Sequence, residues 1–85
     1  MAEKVIASKL AACVQLAEIQ SHYQWQGECQ QEKEFRLEMK TKQKLYKRVE
    51  VFILKEHSYD TPEILCIPIK KVSVSYSQWI EDVLN

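Results

Sequence analysis

From Cys13 to Lys40 the chain reads CVQLAEIQSHYQWQGECQQEKEFRLEMK, and the fold turns on whether this stretch is one hairpin. Gly27 is the only glycine in the chain. It stands between two strand-like runs, where a residue tolerant of positive φ makes a turn. On its far side Phe35, Leu37 and Met39 alternate with Arg36, Glu38 and Lys40, the period of a strand with one wet face. On its near side Val14 and Leu16 alternate with polar neighbours, but the apolar phase then shifts to Ile19, Tyr23 and Trp25. A one-residue shift moves side chains to the opposite face, which predicts a bulge near Ala17 and Glu18.

Helices are predicted on both sides. Ala2 to Ala12 carries Ile6 and Leu10 four apart, with Val5 beside them. Lys42 to Glu56 carries Leu45, Val49, Phe52 and Ile53 on one stripe, with Thr41 placed to cap it. His57 to Glu63, HSYDTPE, leads out of that helix, and Pro62 keeps Thr61 from helical backbone. Ile64 to Ile69 is nearly all apolar and predicts a strand buried on both faces, with Cys66 inside it. Ser75 and Gln78 have capping-box spacing ahead of a terminal helix striped by Tyr76, Trp79, Ile80 and Val83.

The order α-β-β-α-β-α within one domain, residues 1–85, predicts an α+β sandwich of ferredoxin-like type, β-α-β-β-α-β, with helices on one face of an antiparallel sheet. The first strand of that topology has no counterpart ahead of the first helix. The Ile64–Ile69 strand then lacks an inner neighbour, and its backbone groups need another partner.

Composition narrows the function. Twelve basic and twelve acidic residues cancel, so no overall charge draws the chain to nucleic acid or to an anionic membrane. Lys40 to Arg48 is locally basic, with five cations in nine residues. No apolar run has the length of a membrane span, and no signal peptide is expected at the amino end. Three cysteines, odd in number and widely spaced, predict free thiols in a reducing, cytoplasmic setting. A chain of this size holds only a small core, so oligomerisation is its expected source of further stability.

LAACVQ (10–15), HYQWQG (22–27), EMKTK (38–42), HSYDTPEI (57–64), Ile67-Pro68 and SYSQW (75–79) stand in the order and spacing of one family. The chain resembles the CutA divalent-cation tolerance proteins along nearly its whole length. That resemblance implies a ferredoxin-like subunit, a homotrimer with sheets joined across subunits, and a non-enzymatic role in tolerance of divalent cations, with copper binding in some members. The trimer of the family is itself similar to that of the PII signalling proteins, so a small-molecule sensor or protein-interaction scaffold is the alternative. Gln15, Ser58 and Asp60 depart from the family pattern, Glu56 stands where a second histidine is common, and KVSVS replaces a Gly-Asn turn.

Copper takes imidazole and thiolate readily and carboxylate less so. His57 and Glu63 are the matched metal candidates. His57 also suits a helix end as a cation facing terminal carbonyls, and Glu63 suits a structural hydrogen bond. Cys13 reads as a small core hydrophobe or as a thiol ligand. Cys29, near the hairpin tip, reads as the most reactive thiol, although nothing adjacent in sequence activates it. Tyr23 and Trp25, two apart on one strand face, read as core or interface anchors, and the resemblance places them at an intersubunit seam. No nucleophile–base pair or phosphate loop is present, and Asp60 with Glu63 is the only carboxylate pair to consider for catalysis.

Overall fold

The computed structural model describes residues 1–57 and 61–85. Its elements are α1 (Ala2–Ala7), β1 (Cys13–Trp25), β2 (Glu28–Lys40), a 3₁₀ turn (Gln43–Leu45), α2 (Tyr46–Glu56) and α3 (Val74–Leu84). The hairpin is real and longer than its apolar pattern alone requires. β1 and β2 pair antiparallel in one unbroken register from Cys13 opposite Lys40 to Trp25 opposite Glu28. The connection is two residues, Gln26 at φ 52° and Gly27 at φ 79°, the mirror-image turn whose twist matches the strands it joins.

The continuous register removes the expected bulge at Ala17 and Glu18. The shift in apolar phase instead means that the hairpin carries apolar side chains on both faces. Val14, Leu16, Phe35, Leu37 and Met39 share one face, because directly paired residues project together. Ile19, Tyr23 and Trp25 occupy the other. A ladder with two apolar faces needs cover on both.

α1 stops well short of Ala12. Ser8 caps it and Lys9 turns left-handed at φ 55°. Leu10 then donates its amide to the Val5 carbonyl (3.1 Å) and Lys9 donates to Ile6 (3.0 Å). This is the closing pattern in which the residue after a left-handed position folds back on the helix, with an apolar contact beneath it. Val5 and Leu10 make that contact, at 0% and 4% exposure, and with Ala11 and Val49 they form the core. Val14, Met39, Phe52 and Ile53 pack around it. The core therefore sits where α1 and α2 meet the open end of the hairpin, on its Val14/Met39 face.

Thr41 does not cap α2. Its hydroxyl donates to the Leu10 carbonyl at 2.6 Å, tying the end of β2 to the turn after α1. The helical segment after it starts as a 3₁₀ turn and becomes α only at Tyr46. α3 is capped by Ser73, whose Oγ accepts from the Tyr76 amide at 3.3 Å. The expected cap, Ser75, lies inside the helix, and Gln78 donates forward to Asp82 at 2.9 Å instead. Ser73 wins because the extended backbone that an N-cap needs is found there, at φ −64° and ψ 149°.

Residues 64–69 form no strand. The sheet has two members, β1 and β2, and within the described chain no strand edge is joined to this segment. Its side chains are correspondingly open: Leu65, Ile67 and Ile69 are 74%, 76% and 73% exposed. Cys66 is exposed as well, not a core residue. Within α3 the Tyr76 ring lies 5.6 Å from that of Trp79.

The result is elongated. The radius of gyration is 14.9 Å and the long axis 46 Å. A compact chain of this length has a radius of roughly 12 Å, and a thirteen-residue strand alone is about 44 Å long.

Candidate functional site

The predicted site residues that the structure describes do not assemble into a metal-holding group of three or more. His57 ends α2 in extended backbone (φ −81°, ψ 145°), half-buried, with its amide donating to the Ile53 carbonyl at 2.8 Å. Glu63 is exposed in the segment after Pro62. Cys13 opens β1, half-buried and opposite Lys40, on the face turned away from the Val14 core. Asp60, considered with Glu63 as a carboxylate pair, lies outside the described residues, as do Ser58 and Tyr59. Among the described residues no three His, Cys, Asp or Glu side chains come together in a group able to hold a metal ion. The described chain still offers donors of suitable type, an imidazole at His57, a carboxylate at Glu63 and a thiol at Cys13.

Tyr23 and Trp25 lie on the hairpin face opposite the helices, at 37% and 61% exposure. Together with Ile19, which is half-buried, they make an apolar stripe along that face. The other face is also open beyond the core, where Leu16 and Phe35 are 59% and 66% exposed. Contiguous apolar surface of this kind is the mark of an interaction surface in a soluble protein.

The strongest electrostatic feature was legible only as helix spacing. Glu50 accepts from the Tyr46 hydroxyl (2.8 Å) and from the Lys47 ammonium (2.8 Å). The Lys47 hydrogen bond, followed by that of Tyr46, holds the Glu50 carboxyl below its ordinary range. In return the bond to Glu50 raises both the Tyr46 phenol and the Lys47 ammonium. The spacings, three and four residues along one helix, are those at which side chains meet. A second tie, from Lys42 to Glu81 at 2.7 Å, joins the start of the 3₁₀ turn to α3. Nothing in local sequence marks that pairing, because its partners are far apart in the chain.

Comparison with known proteins places this architecture. Residues 1–83 match the family model of the CutA1 divalent ion tolerance protein. A chloroplastic CutA protein of Arabidopsis thaliana is 35% identical over 83 residues, covering 96% of this chain and 46% of the relative. The chain thus spans about half the length of that plant protein. Among solved structures, the periplasmic divalent cation tolerance protein CutA of Archaeoglobus fulgidus superposes with a TM-score of 0.96 at 32% identity, covering 99% of this chain and 82% of the other. A PII-like CutA protein of Nostoc, solved in apo form, superposes with a TM-score of 0.91 at 27% identity, covering 99% and 83%. The likeness identifies the α+β architecture as ferredoxin-like.

Proposed function

Because this chain belongs to the CutA1 divalent ion tolerance family, we propose that it acts without catalysis, as a homotrimer that binds divalent cations, copper(II) foremost. The observation that carries the reading is the family match over residues 1–83, and the doubly apolar hairpin supports the assembly. Residues 1–85 act as one domain. Tyr23 and Trp25 anchor the seam between subunits, since both stand on the face that the helices leave open.

His57 and Glu63 are the cation donors in this reading, with Cys13 as a thiol ligand. The donor types fit: imidazole and thiolate suit copper, and carboxylate completes a site of lower preference. The described residues of one chain gather fewer than three such donors in one place, so a second subunit supplies the remainder. Three free cysteines support a reducing compartment, and the cytoplasm is the proposed one. Among the described residues no helix is long and apolar enough to cross a membrane.

Calorimetric titration of copper(II) into the wild type and into His57→Ala/Glu63→Ala tests the site. The double variant is expected to bind at least tenfold more weakly. Equal affinity in the two proteins removes His57 and Glu63 from the account. A second reading, a trimeric small-molecule sensor of PII-like type, is favoured by the superposition on the Nostoc protein. An intact trimer that binds no copper selects it.

A further inference from the structure

An open groove of about 360 Å³, lined by none of His57, Glu63 and Cys13, runs between the end of α1 and the exposed side of α2. Its floor is apolar, made by Leu10, Val51 and Phe52, and its rim is cationic, made by Lys47, Arg48 and Lys55. The helix explains the arrangement. Lys47, Val51 and Lys55 follow one another at four-residue steps, and Arg48 and Phe52 form the neighbouring row, so cations flank an apolar centre. The volume lies within the range of small-molecule sites.

The charges are uneven in a chain whose net charge is zero. Lys4, Lys40, Lys42 and Arg36 each meet a carboxylate, and Lys47 meets Glu50. Among the described residues Arg48 and Lys55 have no acidic partner, as is also true of Lys33, Lys44, Lys70 and Lys71, but Arg48 and Lys55 both line the groove. A guanidinium offers two parallel donors to a phosphate or carboxylate, and a nearby ammonium adds a point charge. Inorganic anions satisfy the rim but leave the floor wet, whereas apolar molecules do the reverse.

We propose that this groove binds a phosphate monoester carrying an aromatic or aliphatic body, the phosphate held by Arg48 and Lys55 and the body laid on Val51, Phe52 and Leu10. The charge of the dianion calls for more than one cation, which the rim supplies. Because the rim is solvated, binding weakens as salt rises.

Phenyl phosphate, inorganic phosphate and benzyl alcohol serve as probes, titrated into the full chain and followed by backbone amide shifts. Phenyl phosphate is expected to give saturable shifts at Ser8 and along residues 47–55, and to bind more tightly than either other probe. Arg48→Gln/Lys55→Gln should weaken it at least tenfold, while Lys70→Gln/Lys71→Gln, which removes two cations outside the groove, leaves it unchanged. Dispersed amide spectra establish that both variants remain folded. If the double groove variant loses dispersion, the single Arg48→Gln is read instead, with a loss of at least threefold expected. The proposal is overturned by shifts that do not saturate, by equal binding in the groove and control variants, or by inorganic phosphate binding as tightly as phenyl phosphate. Copper titration of the same proteins is independent of these outcomes, so the groove and the cation site stand or fall separately.

Discussion

The two ends of the hairpin differ in what covers them. At the open end, Val5, Leu10, Ala11 and Val49 are buried against Val14 and Met39, and each backbone turn there is closed by a hydrogen bond. Farther along the hairpin, Leu16, Phe35, Tyr23 and Trp25 are more than a third exposed, and outside it Leu65, Ile67 and Ile69 are nearly three-quarters exposed. The residue types are alike in the two regions. What differs is the cover: one end is packed under this chain's own helices, whereas Leu16, Phe35 and Trp25 stand largely open. The small core sits at one end of a 46 Å molecule, and cover for the open apolar surface is what the proposed assembly supplies.

The largest effects should separate the two ends. Leu10→Ala removes a buried side chain from the packed end and is expected to cost about 2–5 kcal/mol, read as a lowered denaturation midpoint. If the exposed end is covered in an assembly, Phe35→Ala approaches the same cost and makes the midpoint depend on protein concentration. If it stays in water, Phe35→Ala changes stability by less than about 0.5 kcal/mol, and the comparison is one of packed core against bare surface.

Next in size is Thr41→Val, which keeps shape but deletes the donor to the Leu10 carbonyl. The expected loss is about 1–3 kcal/mol, because a part-buried acceptor is left without its partner. A neutral result would mean that the turn after α1 is held by the Leu10–Val5 closure alone.

Ser73→Ala should cost about 1 kcal/mol, with Ser75→Ala near neutral, when helix content is followed by circular dichroism. The reverse order would move the cap of α3 two residues and loosen the link that Lys42 and Glu81 provide.

These cases show how far the sequence reaches. The hairpin was legible because alternation and a single glycine are local properties, and Phe35, Leu37 and Met39 do share a face. The early end of α1 was not, because the left-handed residue is Lys9 and the usual glycine marker is absent. The strand expected at 64–69 failed for a different reason. Apolar composition describes what a segment needs to bury, but a strand exists only when another strand accepts its hydrogen bonds. Likewise His57, Glu63 and Cys13 could be picked out as donors by type, whereas whether three donors meet in one place is decided by the fold. The groove lay half-visible in the basic run to Arg48, yet its apolar floor comes partly from Leu10, far upstream.

The smallest expected effect is a pH dependence at the packed end. Glu50 titrates below its ordinary value near 4.5 because Lys47 and Tyr46 donate to it. A depressed carboxyl contributes stability above its unfolded pKa and loses it as pH falls through the folded value. The difference in midpoint between wild type and Glu50→Gln should therefore shrink as pH falls below about 4.5. A constant difference across that range would remove the carboxylate from the account.

The mass of the full chain in solution, measured by light scattering, tests the contrast between the two ends most directly. An assembly of three copies of the 10.0 kDa chain, with Trp25 emission shifted to the blue and Trp25→Glu dissociating it, is the result predicted. A monodisperse single copy whose Trp25 remains in water would contradict it.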